Sequence, residues 1–229
     1  MAGTTGIEWT DATFNPWWGC EAVSPGCAHC YAETLAKRHA PGQSLWGAGH
    51  GFRFFGDKHW AEPLRWNRQA AAAGVRRRVF CASMADVFDE RAELDAETMT
   101  HYRGNWPTSP RAALLDLIVD TPHLDWQLLT KRPEFARDWL AQWYGEEWGR
   151  PHNPETGEGT LPNLWLGVSI ENARHTWRAD VLREIPAAVR FISAEPLLGS
   201  LYETKPCREC AGVGSDRQSD IYSDCSACG

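Results

Sequence analysis

The sequence predicts an α/β chain built on a parallel sheet. Three observations carry this: short apolar runs alternate with stretches of helical spacing, each run ends in a group of polar residues, and seven of the eight cysteines fall into two tight groups flanking the alternation. Strands separated by crossover helices lie parallel, in an open doubly wound sheet or in one closing towards a barrel. In either architecture the reactive groups collect at the carboxyl ends of the strands.

A loop broken by Pro25 and Gly26 leads into a helix expected from about Tyr31. Residues 40–60, rich in Gly, His and Phe, read as an irregular excursion. Strands are expected at 78–83, 124–130, 164–169 and 189–193, each short and apolar as a strand covered on both faces should be. Helices are expected at 110–119, where Leu114, Leu115, Leu117 and Ile118 recur, and at 133–143 and 173–183. Residues 144–162, rich in Gly, Pro, Glu and Asn, read as a surface loop. The polar residues after the strands are Ser83 to Asp86, then Thr130, Lys131 and Arg132, then Ser169, Glu171 and Asn172, then Ser193 and Glu195. Singly these fit helix caps and solvated loops. Four such groups at matching positions fit one functional rim.

At 229 residues and 43% hydrophobic, the chain can bury a proper core as one large domain or one domain with a small appendage. A formal charge of −7 argues against a protein that coats nucleic acid nonspecifically, although a local basic groove is compatible with it. No stretch reaches the roughly 20 apolar residues that span a bilayer, and the start lacks a basic and then apolar leader, so no membrane partner and a cytoplasmic location are expected. Without an export leader, clustered cysteines read as metal ligands and not as disulfides. The thirteen tryptophans read as packing. Cys81, alone within an apolar run, reads as a small core residue.

The first group, Cys20-Glu-Ala-Val-Ser-Pro-Gly-Cys27-Ala-His-Cys30-Tyr31, puts three thiols on one loop. Three thiolates can hold three irons of a [4Fe–4S] cube and leave the fourth open. An open iron can chelate the amino and carboxylate groups of S-adenosylmethionine (SAM), and one electron delivered there breaks the sulfonium bond. Zinc bound by Cys₃His with His29 is the rival, although a His inside Cys27-Ala-His-Cys30 is poorly placed to share one ion with both neighbours.

The stretches Gly6-Ile-Glu-Trp-Thr-Asp-Ala-Thr-Phe-Asn-Pro-Trp-Trp-Gly-Cys20, Val23-Ser-Pro-Gly-Cys27-Ala-His-Cys30-Tyr-Ala-Glu33, Ser83-Met-Ala-Asp-Val-Phe88, Leu128-Leu-Thr-Lys-Arg-Pro133, Leu164-Trp-Leu-Gly-Val-Ser-Ile-Glu-Asn172 and Phe191-Ile-Ser-Ala-Glu-Pro-Leu-Leu-Gly199 together resemble the phage and prophage radical-SAM-like proteins of unassigned function. Spore photoproduct lyase is a more distant likeness. The resemblance implies a partial (β/α)6 barrel of radical SAM type over residues 1–203, with Cys20, Cys27 and Cys30 as cluster ligands. It also implies SAM contacts from the strand-end residues Ser83, Lys131, Ser169 and Glu171, with His29 or Tyr31, by analogy, stacking on adenine or shielding the cluster. The implied activity is radical abstraction of hydrogen from an unidentified substrate, a nucleotide or nucleic-acid base being the class considered, with an electron-donor protein as partner. Two features depart from the family pattern. Six residues separate Cys20 from Cys27 where three are commoner, and His29 stands where an aromatic usually precedes the third cysteine. The chain also lacks the Gly-Gly-Glu-Ser-Gly strand that follows in the resembling proteins.

Cys207-Arg-Glu-Cys210 and Cys225-Ser-Ala-Cys228 form paired Cys-x-x-Cys knuckles within a small zinc-ribbon-like C-terminal segment, 204–229. Four thiolates so spaced suit structural Zn2+, with an auxiliary iron–sulfur cluster as the rival. A different functional class stays open: a non-enzymatic module with zinc in both groups, whose basic residues Arg76-Arg77-Arg78 and Lys131-Arg132 bind nucleic acid or a protein.

Overall fold

The computed structural model describes residues 5–49, 51–93, 109–146 and 159–202. Cys207, Cys210, Cys225 and Cys228, the segment 204–229 and most of the expected surface loop lie outside the described residues.

In chain order the elements are β1 (Ala12–Thr13), β2 (Trp17–Trp18), α1 (Tyr31–His39), β3 (Arg53–Phe54), α2 (Asp57–Ala73), β4 (Arg77–Cys81), α3 (Pro110–Asp120), β5 (Leu124–Thr130), α4 (Pro133–Glu146), β6 (Leu164–Ser169), α5 (Trp177–Glu184) and β7 (Val189–Ser193). The main sheet runs β1-β4-β5-β6-β7 with every neighbouring pair parallel. β2 and β3 form a separate antiparallel ribbon. The strand order follows the chain without reversal, so among the described residues the sheet shows no switch point of a doubly wound fold. Among the described residues it is open at both edges, and no barrel is closed.

Alternation gives the sheet two different faces. Val79, Cys81, Leu124, Trp126, Leu128, Leu164, Leu166 and Val168 point one way into the main core, where they meet Trp60 and Trp66 of α2, four aliphatic residues of α3, and Ala136 and Leu140 of α4. Each such large side chain contributes about 1.5–3 kcal/mol by leaving water. On the other face Phe80, Leu129 and Ser169 line a cavity. At Gly167 a side chain would overlap the ring of Phe191, its register partner on β7.

α3 begins at Pro110, a favoured first-turn residue, behind Ser109, whose hydroxyl accepts a hydrogen bond from Ala112 N at 3.1 Å. It is buried nearly all round. Even Arg111 is fully covered, donating to Val87 O (2.8 Å) and Asp89 O (2.7 Å) beneath Phe135 and Trp139.

Three expectations change. The chain from Asp57 to Ala73 is a seventeen-residue helix although Pro63 lies inside it, so the irregular stretch ends before residue 57. The helix expected at 173–183 is a 3₁₀ turn, Ala173–His175, followed by α5, because Asn172 caps the turn and Thr176 Oγ1 donates back to Ala173 O. β7 is not covered on both faces: Val189 is 37% and Ile192 53% exposed at the edge of the sheet. Among the described residues no helix is long and apolar enough to cross a membrane.

Candidate active site

The carboxyl ends of the parallel strands open onto a cavity of about 590 Å³. Ser83 and Asp86 reach it from beyond β4, Thr130, Lys131 and Arg132 from β5, Ser169 from β6, and Ser193 and Glu195 from β7. Four polar strand ends therefore share one rim, as their repetition in the sequence implied. Cys20, Cys27, His29, Cys30 and Tyr31 form the facing wall, and Trp9, packed edge-on to Phe80 at 4.8 Å between ring centres, closes another side.

Each cysteine is fixed by a different device. Gly19, at φ 129°, threads between Leu45 O and the Phe52 ring where a side chain would collide, and its N–H donates to Met84 O at 3.1 Å. Cys20 is thereby held between Leu45 and Gly47 by backbone hydrogen bonds. Cys27 ends the 3₁₀ turn Pro25–Cys27, and Cys30 is the N-cap of α1. All three thiols are unpaired and half-buried. Among the described residues no three His, Cys, Asp or Glu side chains converge on the spacing of a single metal ion.

Behind Cys20 lies an ionic network. Arg132 Nη1 approaches Cys20 Sγ at 3.9 Å and Asp86 Oδ2 at 3.3 Å, while Nη2 donates to Glu21 O at 3.0 Å. Asp86 accepts from Thr130 Oγ1 (2.7 Å), Lys131 N (3.0 Å) and Phe88 N (3.0 Å), tying the end of β4 to the end of β5. Burial, with the charge of Asp86, pushes the Cys20 thiol up to about 12, and Arg132 offsets only part of this. For Arg132 itself, burial opposes the charge, but Asp86, Cys20 and Asp89 outweigh it and raise its pKa. Cys81 is fully buried away from the cavity, and burial raises its pKa too.

The described residues 5–202 are nearly coextensive with a family match over residues 4–208. The family is described as "Protein of unknown function (DUF5131)". The chain belongs to the DUF5131 family. No curated protein and no solved structure matches it. The family span takes in the whole sheet and the first cysteine group, whereas Cys210, Cys225 and Cys228 lie beyond it.

Of the residues singled out in this DUF5131 protein as SAM contacts, four meet at the cavity. Tyr31 OH donates to Ser83 O at 3.0 Å, Ser83 Oγ accepts from Asn15 Nδ2 at 3.1 Å, and Lys131 and Ser169 complete the set. Glu171 does not join them. It is fully buried behind the cysteine loop, where its carboxylate meets Ser24, Arg178 and His175. Asn172 caps the 3₁₀ turn, which is the ordinary structural role.

One residue escaped the sequence reading: Asn15, 1% exposed, holds the β4 tip through Met84 N (2.7 Å) and Ser83. Arg132, expected at the rim or in a basic pair that binds a partner, is tied internally to Asp86. Nor do the basic residues form one patch. Arg76 is spent on Asp125 and Arg78 on Asp11 at the amino end of β4, opposite to Lys131 at the carboxyl end of β5.

Proposed function

We propose that this chain is a radical SAM enzyme in which Cys20, Cys27 and Cys30 hold a [4Fe–4S] cluster and Ser83, Tyr31, Lys131 and Ser169 receive SAM. The observation that carries the reading is that three unpaired thiols from one loop face a cavity ringed by the carboxyl ends of four parallel strands. The donor set suits a cluster in its chemistry, because three thiolates from one loop can hold three irons of a cube and leave the fourth open. The sequential parallel strand order supports a partial (β/α)6 barrel, of which the described residues would supply five strands.

The chemistry supplied by bound cluster and SAM would be one-electron cleavage of the sulfonium and hydrogen abstraction from substrate, fed by an electron-donor protein. The chain's own residues bind and orient. The Lys131 ammonium suits the SAM carboxylate, the Ser83 and Ser169 hydroxyls suit ribose or amino groups, and the Tyr31 ring offers adenine a face while its hydroxyl is tied to Ser83 O. Trp9 and Phe80 give the cavity an aromatic wall, which supports a planar substrate such as a nucleotide or nucleic-acid base.

Anaerobic reconstitution with iron and sulfide, followed by metal analysis and electron paramagnetic resonance with and without SAM, tests the reading. The expected result is about four irons that depend on the first cysteine group, counted as the difference from the Cys20→Ala, Cys27→Ala, Cys30→Ala triple variant, and a signal that shifts on adding SAM. Zinc in that group with no response to SAM would reject it in favour of a non-enzymatic metal-stabilised binding module.

A further inference from the structure

Glu171 is fully buried, yet it sits at a strand end where the cavity would have been its expected outlet. Its Oε1 accepts from Ser24 Oγ at 2.5 Å, a short charge-assisted bond across 147 positions of sequence. Its Oε2 accepts from Arg178 Nη1 at 2.9 Å and lies 3.3 Å from His175 Nδ1. Arg178 is itself 2% exposed and uses the same nitrogen on Ser169 O at 2.8 Å, so the carboxylate is anchored to α5 and to the end of β6. Ser24 belongs to the loop between Cys20 and Cys27 and starts the turn that ends at Cys27. Gly26 supplies a second, independent contact: a methyl group there would stand 2.6 Å from Glu171 Cγ and 2.7 Å from Oε1, so the loop backbone lies directly on the carboxylate. Burial raises the carboxyl's pKa, but Ser24 and Arg178, with Lys131 behind them, reverse this and keep it low, so the group is a charged acceptor at neutral pH.

We infer that Ser24, Glu171 and Arg178 form a strut that fixes the cysteine loop against the sheet, which makes Glu171 a positioning residue for Cys27. The inference rests on the cluster reading only for its consequence, cluster retention; the strut itself is a property of the metal-free chain. Ligands held in place lose a metal group more slowly than ligands on a loose loop, because the first thiolate to dissociate recaptures its iron before the second leaves. Ser24→Ala cuts the loop bond and leaves Glu171 paired with Arg178; it also removes the hydroxyl 3.9 Å from Cys27 Sγ, so loop exchange on the metal-free chain decides the strut and iron loss only follows it. Ser24→Thr keeps the hydroxyl, and the extended backbone at Ser24 (φ −153°, ψ 165°) accommodates a β-branched residue.

The test compares the full-length wild type, Ser24→Ala, Ser24→Thr and Glu171→Gln. Amide hydrogen exchange over residues 22–30 is measured on the metal-free proteins, and iron loss to a chelator on the reconstituted ones. The expected result is roughly tenfold or faster exchange in Ser24→Ala, as befits a lost hydrogen bond to a charged acceptor, with protection regained in Ser24→Thr and iron loss following the same order. Unchanged exchange in Ser24→Ala would overturn the strut. So would a Glu171→Gln protein with normal loop protection that loses its spectral response to SAM, since Glu171 would then act on SAM directly. If the wild type takes up no iron, the proposed function fails while the exchange comparison still decides the strut.

Discussion

His59 shows how a single buried side chain sets a pH response away from the cavity. Its ring stacks on Phe14 at 4.6 Å and lies 4.5 Å from Phe55, and Nε2 meets Asn15 O at 2.8 Å. Burial lowers its pKa, although the Asn15 carbonyl and Glu62 pull the other way. As pH falls below the ordinary histidine value of about 6.5, the unfolded chain takes the proton first. The contribution of His59 is therefore complete above about 6.5 and is lost as pH falls through its lower folded value. Urea midpoints at pH 7.5 and 5 should drop further in the wild type than in His59→Gln; equal drops would show that His59 stays out of the transition. This scale is also where the sequence was least informative. Lys131 and Arg132 are adjacent, alike in charge and both at the cavity, yet it is Arg132 that packs against Cys20, 112 positions away. Asn172 and Glu171 both follow β6 and differ only in what the fold brings to them. Partners so distant leave no trace in local spacing, whereas the three cysteines on one loop were legible because chain connectivity alone keeps them together.

Elements were legible where local chemistry and tertiary burial agree. The strands at 124–130 and 164–169 form where their apolar runs lie, since a strand buried in a parallel sheet carries its signature in consecutive residues, and the run at 189–193 forms a strand although it is largely exposed. α3 starts where Ser109 and Pro110 say it should. Ser109→Ala removes the acceptor for Ala112 N and should lower unfolding free energy by about 1 kcal/mol, read from the shift in denaturation midpoint with the slope unchanged. A loss below a few tenths would mean that water or backbone replaces the cap. α2 was hidden because Pro63 removes a helical N–H and reads as a breaker, while its buried positions Trp60, Pro63, Trp66 and Ala70 keep a helical period that tertiary packing rewards. β1, two residues long, is too short to show any period and exists only because β4 offers a parallel edge, with the Asp11 carboxylate accepting from Arg78 N at 2.8 Å.

At the scale of the molecule, the strand order decides more than the strands themselves. Sequential parallel neighbours joined by crossover helices pack α2, α3 and α4 into the core on one face of the sheet, while Phe80, Leu129 and Ser169 line the cavity on the other. Among the described residues β7 is an edge, and edges with exposed apolar side chains template association with other strands. Val189 and Ile192 are exposed on β7, and Leu197 and Leu198 follow at 61% and 51% exposure. Ile192→Lys places a charge on this edge without removing a core contact, so stability should stay within about 0.5 kcal/mol of wild type. Static light scattering over a concentration series should then show less self-association than the wild type at equal ionic strength, with the difference shrinking as salt screens the added charge. If wild type and variant scatter identically, the edge is already shielded in the intact chain, and the apolar residues of β7 face a surface that the chain itself supplies.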